Sequence, residues 1–517
     1  MKLNYKRTIF VGFAFFLICA FWQAYDATIP VILTNKYGMS QFWSGVIMAL
    51  DNVLALFMLP LFGSLSDKCK SKRGKRTPFI IFGTTIAAVA LIGLSVVDNM
   101  QLKKIADYTQ LDDVPTLERI YENQSDAELK TPEGATFKLQ ELYTKEEFAQ
   151  IRVNETDPDT GKKSVTTEYV NYVAPAREAC VAEITNSDPS PLILFVALLL
   201  VILVAMSTFR SPAVALMPDV TIKPLRSKAN AVINLMGTAG GIVVLVLGMV
   251  FSTSSVLNSF MSYTTYYAVI CGSMLVSLLV FLLTVREPAW AKQMQEDTLR
   301  YGIEEEEKTQ EITRKLSSGE KRSLILILLS VALWYFGYNA VTSKYAIYAT
   351  KILDMDYNTT MLLAQAAAVV AYMPAGIIAS KIGRKKTILG GVVILALSFG
   401  AASFMRAGSP VMLMNLLFIG AGVGWATINV NSFPMAVELS SGADVGKYTG
   451  YYYTASMAAQ TLTPLLSGWL MDELGEKILF PYAAVFAALA IVTMLFVSHG
   501  DNKIESKSGL EAFDIED

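Results

Sequence analysis

Three ionisable residues, Asp26, Asp51 and Arg210, lie well inside long apolar runs of this 517-residue sequence. A charged side chain at the centre of a bilayer costs roughly 2.5–3.5 kcal/mol on insertion scales, so each of them is a functional candidate by default. Arg210 could bind an anion, pair with a buried acid such as Asp51, or extend to the membrane surface. We predict that it acts in gating.

The two carboxylates lie at similar predicted depth in neighbouring runs. Asp26 comes about seven residues before the end of its run and Asp51 about nine residues after the start of the next, roughly 10–14 Å from one membrane face at 1.5 Å per residue. Two carboxylates at one level can bind Na⁺ or hold a shared proton. We therefore predict a cation-coupling site at Asp26 and Asp51. The alternative is that one of them makes a structural hydrogen bond to a neighbouring helix.

Aromatic and amide side chains within the apolar runs form a second candidate group. A sugar packs its CH patches on aromatic faces, while amides and carboxylates bond its hydroxyls. Asn and Gln also pack membrane helices together, and Lys344, near the end of a run, could instead extend to the membrane surface. The residues predicted to bind a substrate are Trp22, Gln23, Tyr25, Asn339, Lys344, Trp425, Asn429, Asn431, Tyr452 and Gln460.

Long apolar helices are needed to position these side chains, and the composition predicts them. The sequence is 53% hydrophobic and 17% charged, with a mean hydropathy of +0.42, which is more apolar than a typical soluble domain. We predict an all-α membrane protein with twelve transmembrane helices in two six-helix bundles, and an external insert between the third and fourth helices. The predicted spans are 8–33, 42–65, 78–97, 191–217, 228–252, 264–285, 322–349, 358–381, 386–405, 410–436, 447–470 and 479–498.

Basic loops set the expected orientation. Residues 66–77 contain six basic residues and one acidic residue, and the loops at 221–228 and 380–387 are also basic. The positive-inside rule places such loops in the cytoplasm. Both termini are separated from them by an even number of spans. We therefore expect a multi-pass protein of the cell membrane with both termini in the cytoplasm.

Residues 98–190 differ from the rest of the chain, because they hold 19 acidic and 10 basic residues and no spanning run. We expect them outside the cell, as a small domain or a partly disordered cap. Helices are expected over 143–153 and over the charged run 302–316. The predicted domains are a first bundle at 1–285 containing the insert 98–190, a cytoplasmic linker at 286–320, a second bundle at 321–498 and a cytoplasmic tail at 499–517.

A short pattern follows the second span of each half: a glycine, a polar residue four positions later, then Gly-basic-basic. Glycine lets two helices approach closely. Asp67 lies on the same helix face as Gly63, where it can pair with arginines and accept hydrogen bonds from a helix N-terminus. We predict a latch that holds the inner gate closed; the alternative is that the basic residues only set topology. The residues predicted to act in gating are Gly63, Asp67, Arg73, Arg76, Arg210, Asp219, Gly376, Gly383, Arg384 and Glu438.

These motifs resemble those of the major facilitator superfamily. The stretch at 60–79, PLFGSLSDKCKSKRGKRTPF, is similar to the expanded form found in sucrose transporters and in glycoside–pentoside–hexuronide:cation symporters, and 210–219 and 229–237 match as well. The resemblance covers all twelve spans but not the insert. It implies two six-helix bundles that rock around a central site, and cation-coupled transport of a sugar.

The expected function is therefore uptake of a sugar, a glycoside or an oligosaccharide, with H⁺ or Na⁺ and no other cofactor, by a monomer in the lipid bilayer. Two alternatives stay open: an exporter of drugs or organic ions, and a membrane sensor that binds its ligand on the insert.

Other classes of function find little support in the sequence. It contains no P-loop and no HExxH or GxSxG motif, so we expect neither ATP hydrolysis nor an enzyme. A net charge of −2 provides no basic field for nucleic acid. One histidine, His499, and four scattered cysteines predict neither a metal site nor a disulfide framework.

The predicted orientation can be tested with single cysteines and a thiol reagent that does not cross membranes. On intact cells, a cysteine in the insert should be labelled, whereas Lys68→Cys and Lys385→Cys should react only after the cells are permeabilised. Labelling of residue 68 from outside would overturn the arrangement.

Overall fold

The computed structural model describes residues 3–156, 163–222, 225–301, 316–439 and 445–500. Twelve long helices form two bundles of six, each closed around its own apolar core. Each predicted span coincides with one of these helices to within a few residues, apart from the third, which continues seven residues further, so the predicted fold class is confirmed. In chain order the helices are α1 (Tyr5–Asn35), α2 (Gln41–Asp67), α3 (Thr77–Lys104), α4 (Val114–Gln124), α5 (Leu139–Leu142), α6 (Lys145–Phe148), α7 (Ala174–Ser187), α8 (Ser190–Val220), α9 (Arg226–Val250), α10 (Thr264–Thr284), α11 (Glu287–Arg300), α12 (Ser318–Tyr348), α13 (Tyr357–Ile382), α14 (Arg384–Ala402), α15 (Val411–Val437), α16 (Val445–Leu474) and α17 (Leu479–Leu495).

The first bundle consists of α1–α3 and α8–α10, and the second of α12–α17. Within the described residues, eleven of these helices are long and apolar enough to cross a membrane. The twelfth, α16, is long enough but carries many Tyr, Thr and Ser residues along its length. It packs between α2 and α12, so much of this polar surface faces protein. The chain is an integral membrane protein.

The segment between α3 and α8, residues 105–189, is a small folded domain, here called the insert. Its core contains Leu117, Ile120, Phe148 and Val153, all buried. This confirms the small-domain alternative. The helix expected over 143–153 is wrong beyond its first turn, because the chain turns after α6 to bury Ile151 and Val153 and then enters a strand. The strands are β1 (Leu129–Lys130), β2 (Thr136–Phe137), β3 (Asn154–Thr156) and β4 (Lys163–Val165), paired antiparallel as β1–β2 and β3–β4.

The bundles have two ends, which we name by what lies there. The insert side carries the insert, and the linker side carries α11, which follows the first bundle. Short 3₁₀ or π segments adjoin these helices at Ala106–Tyr108, Tyr169–Val173, Val256–Asn258, Ala349–Leu353 and Glu476–Ile478. The helix expected over 302–316 falls almost wholly outside the described residues, as does most of the tail at 499–517.

A buried ion pair fixes the insert side of the first bundle. The Lys36 ammonium lies 2.7 Å from the Asp98 carboxylate, and both side chains are fully buried. Lys36 also donates to the carbonyl of Met261 and lies 4.5 Å from the ring centroid of Tyr263. Gln101 then joins the Lys36 carbonyl to Thr185 of the insert. The end of α1, the end of α3 and the insert are therefore held as one unit.

Candidate functional site

A cavity of about 740 Å³ lies between the two bundles. Helices α1, α2 and α8 of the first bundle and α12, α15 and α16 of the second supply its walls. Nine of the residues predicted for coupling, binding or gating are among those that line it, so the structure brings residues from six separate helices to one place. These nine are Trp22, Tyr25, Asp26, Asp51, Arg210, Asn339, Trp425, Asn429 and Gln460.

The charged residues of the cavity all belong to the first bundle. Asp51 lies within electrostatic range of Asp26 and of Arg210. Asn52 donates a hydrogen bond of 2.9 Å to Asp51, and the Arg210 guanidinium lies 5.8 Å from the ring centroid of Trp22. With both carboxylates ionised, the guanidinium balances one of the two negative charges. The cavity can therefore accept one further positive charge without leaving a carboxylate uncompensated.

Aromatic rings face the cavity from both bundles. Trp425 stacks on Tyr338 with centroids 3.7 Å apart and planes within 3°, and Tyr335 meets it edge-on. In the first bundle, Trp22 contacts Tyr25 edge-on at 5.4 Å. These contacts fix the ring planes, so the cavity has rigid apolar faces on both sides.

Three polar atoms of cavity residues have no hydrogen-bond partner among the described residues: Trp22 Nε1, Tyr25 Oη and Asn339 Nδ2. A buried donor without a partner costs about 1–3 kcal/mol. Each atom is itself covered by neighbouring groups, so it would meet an oxygen of a bound solute only after its side chain turns towards the cavity. The walls of the cavity therefore contain three groups that a ligand rich in oxygen could satisfy.

Four residues predicted to bind a substrate lie elsewhere. Gln23 bonds Tyr357 and Gln365 of α13 and so joins the two bundles. Asn431 donates to the Thr427 carbonyl one turn earlier in its own helix, so its amide serves the helix and not a substrate site. The Tyr452 hydroxyl lies 2.8 Å from Ser432 Oγ. Lys344 donates to the Gln41 carbonyl on the insert side.

Sequence reasoning missed several lining residues. Asn52 directly follows Asp51, while Thr342 and Ser343 come three and four positions after Asn339 and therefore share its helix face. That spacing was the signal that could have found them. Ser211, Tyr335, Tyr453 and Ser456 also line the cavity.

Comparison with known proteins places the fold. A sequence profile described as Major Facilitator Superfamily matches residues 327–514, and one described as MFS/sugar transport protein matches residues 10–105. The chain belongs to the major facilitator superfamily. The first match covers most of the second bundle and runs on past α17, and the second covers α1–α3. Apart from residue 105, the insert lies outside both.

Individual relatives of this superfamily member are distant. It is 23% identical over 192 residues to the dipeptide and tripeptide permease A of Citrobacter koseri, a match that covers 36% of this chain and only 38% of the permease. A sucrose transport protein of Arabidopsis thaliana is 36% identical over 58 residues, 11% of each chain.

Solved structures agree over nearly the whole length. A D-xylose-proton symporter superposes with a TM-score of 0.56 at 14% identity, covering 96% of this chain and 99% of that one. A peptide transporter in complex with sulfate gives a TM-score of 0.57 at 11% identity, covering 95% and 93%. At such identities the likeness concerns the fold alone.

The two bundles of this superfamily member meet tightly on the insert side. Gln41, at the start of α2, is bound from the second bundle through both its main chain and its side chain. Asp472 of α16 accepts from the backbone N–H groups of Gln41 and Phe42, each at 2.8 Å. Lys344 is fully buried and donates to the Gln41 carbonyl at 2.7 Å. The carboxylate thus caps the α2 N-terminus, where it also meets the positive end of the helix dipole.

Glycines allow this contact. A Cβ atom on Gly45 would lie 2.1 Å from the Pro464 carbonyl oxygen, and one on Gly468 would lie 2.3 Å from the Gln41 carbonyl oxygen. Helices α2 and α16 therefore touch backbone to backbone. A second close contact joins α9 and α13, where a Cβ on Gly248 would lie 2.1 Å from the side-chain amide oxygen of Asn358. Together the two contacts close the insert side.

The predicted latch residues gather on the linker side within the first bundle. Arg76 lies 2.5 Å from Asp67 and 2.7 Å from Asp219, so it joins the ends of α2 and α8. Its partner Ser66 is on the same turn as Asp67. The first N–H groups of α3 are bound by Glu287, which accepts from the backbone of Arg76 at 2.9 Å. We expected Asp67 to accept hydrogen bonds from the N-terminus of a neighbouring helix, but at the N-terminus of α3 Glu287 accepts them.

The second bundle repeats this arrangement. Arg384, at the start of α14, forms an ion pair with Glu438 at the end of α15, as Arg76 does with Asp219 at the end of α8. Gly383 precedes Arg384 with φ +96°, a backbone conformation that favours glycine. The Gly-basic-basic pattern therefore marks the same ion pair in both bundles: an arginine at the start of the third helix and an acid at the end of the fourth.

The remaining predicted gating residues take less defined positions. Gly63 faces Ser211 of α8, since a Cβ on it would lie 2.8 Å from the Ser211 hydroxyl. Arg73 has an exposed side chain and Gly376 lies within α13.

Replacing Asp472 with Asn should loosen the insert side. Asn offers only one acceptor oxygen and no charge, and a hydrogen bond to a charged group contributes about 1.5–3 kcal/mol, so we expect about tenfold or more opening. The reporter is Ser44→Cys, because Ser44 is fully buried beside Gly45, in a chain whose four native cysteines are replaced by alanine. Its rate of reaction with a maleimide should rise with Asp472→Asn.

The matched control is Asp107→Asn, the same chemical change at an exposed carboxylate whose ion pair with Arg119 lies inside the insert. Equal labelling rates for the two variants would show that Asp472 does not hold this side closed.

Proposed function

We propose that this chain is a secondary transporter that carries a neutral, oxygen-rich solute, of the glycoside or oligosaccharide class, together with H⁺ or Na⁺. The observation that carries the proposal is the cavity between the bundles, which is lined by two carboxylates, one guanidinium and the side-chain amides of Asn339, Asn429 and Gln460 beside fixed aromatic faces.

The lining suits a sugar. Stacked Trp425 offers a flat face for the CH patch of a pyranose ring, and Trp22 offers a second from the other bundle. Asn429 and Gln460 line the cavity and can both donate and accept hydrogen bonds. The covered donors of Trp22, Tyr25 and Asn339 would bond ring or hydroxyl oxygens once their side chains turn towards the sugar. A volume of about 740 Å³ lies within the range of small-molecule sites.

The charge balance supports cation coupling. Arg210 compensates one of the carboxylates of Asp26 and Asp51, and a neutral solute adds no charge. A proton or Na⁺ would then neutralise the second carboxylate while the cavity is closed to water. Either cation would restore the charge balance.

Rocking of the bundles supplies the movement. The structure is closed on the insert side, whereas the cavity lining reaches Leu59 of α2 and Pro218, two residues before the end of α8, towards the linker side. With the basic loops in the cytoplasm, the insert side faces outward, and this is an inward-facing state. Opening the α2–α16 contact while closing the linker side would expose the cavity to the exterior.

A peptide is the second candidate substrate. The cavity presents charges of both signs, so Arg210 could bind a peptide carboxylate while Asp26 or Asp51 binds its ammonium group. The curated relatives named dipeptide and tripeptide permease favour this candidate, although their matches cover less than half of either chain.

Uptake into proteoliposomes tests the proposal. The protein should accumulate a labelled disaccharide from a panel against its gradient when a pH or Na⁺ gradient is imposed. Asp51→Asn should abolish that accumulation, because it removes the exchangeable charge. It should keep solute exchange between two loaded compartments, which needs rocking but no net cation movement.

Two results would count against this account. Uphill accumulation by Asp51→Asn would make Asp51 structural and leave Asp26 as the better coupling candidate. Accumulation of di- and tripeptides but of no sugar would replace the sugar by the second candidate. Asp126→Asn, at an exposed carboxylate paired with Lys138 inside the insert, serves as a control that should leave the coupling to the cation gradient intact.

A further inference from the structure

The insert belongs to the first bundle by its attachment. It connects α3 to α8, and Arg177 at its centre is buried and donates to the carbonyls of Tyr108, Gln110 and Leu111. Gly38, just after α1, packs against the backbone of Ala182. With the Lys36–Asp98 pair beneath it, the insert must move with the first bundle.

Its opposite face is bound to the second bundle at the turn between α16 and α17. The Pro132 carbonyl accepts from the backbone N–H of Glu476 at 2.6 Å. Lys130 donates to the Asp472 carbonyl at 3.0 Å. Beside them Glu133 pairs with Lys477. The β1–β2 turn thus lies directly on the residues that follow the α2–α16 contact.

The fit at this turn is close. A Cβ on Gly134 would lie 2.7 Å from the Leu474 carbonyl oxygen, and one on Gly475 would lie 2.5 Å from the Gly134 nitrogen. Both glycines have φ near +89° and would be strained with a side chain. Two backbones therefore touch here, as they do between α2 and α16.

Two further bonds reach the end of α12. Glu178 of α7 lies 2.6 Å from the Lys351 ammonium, and Glu476 approaches the same ammonium at 3.5 Å. The backbone N–H of Val165 donates to Asp354 at 3.1 Å. The insert therefore contacts the second bundle through α7, β4 and the β1–β2 turn.

We propose that the insert is a strut across the insert side: it stabilises the closed state of that side and must release the α16–α17 turn before the cavity can open there. Because the insert is fixed to the first bundle, any movement of α16 away from α2 separates Glu133 from Lys477, Lys130 from Asp472 and Glu178 from Lys351. These bonds form only in the closed state, so they shift the equilibrium towards it.

Charge reversal tests the strut with the Ser44→Cys reporter in the chain lacking native cysteines. Glu133→Lys replaces an ion pair with repulsion from Lys477, so maleimide labelling should accelerate about twofold to fivefold, within the range expected for partly exposed pairs. Adding Lys477→Glu restores opposite charges and should return the rate close to its starting value. Lys130→Met is a second variant without charge reversal and should also accelerate labelling.

The matched control is Glu122→Lys, which breaks an ion pair with Lys145 inside the insert; among the described residues Glu122 forms no ion pair with the second bundle. If Glu133→Lys labels no faster than Glu122→Lys, or if the double variant stays as fast as the single one, the strut is disproved. The inference rests on the proposed rocking of the bundles, but the labelling needs no solute or gradient. Failure of coupled uptake and failure of the strut are therefore separate results.

Discussion

The contact between α2 and α16 is the constraint on which the rest of the structure depends. Gly45 and Gly468 let the two backbones touch, and Asp472 and Lys344 hold the first residue of α2 from the other bundle. The same two helices diverge towards the linker side, where Asp51 on α2 and Gln460 on α16 face the cavity. Contact between α2 and α16 at one end therefore goes with their separation at the other. The same two helices carry residues that line the cavity.

Charge pairing distinguishes structural from functional residues. At the ends of the bundles the named ionisable groups have short partners: Lys36 with Asp98, Arg76 with Asp219 and Asp67. In the cavity, Asp51 interacts with Arg210 and with Asp26 only at longer range. A paired buried charge supports the fold, whereas an excess carboxylate in a cavity is costly unless a ligand or cation compensates it. This contrast is why the proposed coupling site falls in the cavity.

The sequence predicted most of the framework, because apolar runs of spanning length mark the helices directly. It also brought out Asp26, Asp51 and Arg210, since a charge inside such a run is conspicuous, and the structure gathers all three in one cavity. It missed Asp98 and Asp472 as structural residues. Both lie just beyond the predicted spans, which end where the charges begin, and hydropathy gives no sign that another element will cover them.

Tertiary packing explains why other residues predicted to bind a substrate lie outside the cavity. Gln23, Asn431 and Tyr452 have the side chains a sugar site would use, but each faces a neighbouring helix or its own backbone. Helix periodicity shows which residues share a helix face, but not whether that face meets another helix or the cavity. The insert shows the same limit, because Glu133 and Glu178 are ordinary acidic residues in a strongly acidic segment until the second bundle is placed beside them.

The most direct test is a pair of spin-label distances across α2 and α16, one at each end. Labels at Trp43 and Leu474 report the insert side, and labels at Leu65 and Lys447 report the linker side; all four side chains are exposed. Gly468→Leu prevents the backbone contact, so the first distance should lengthen and the second should shorten in the same sample. If both distances stay unchanged, or both lengthen together, the two ends are not coupled by rocking and the central claim is wrong.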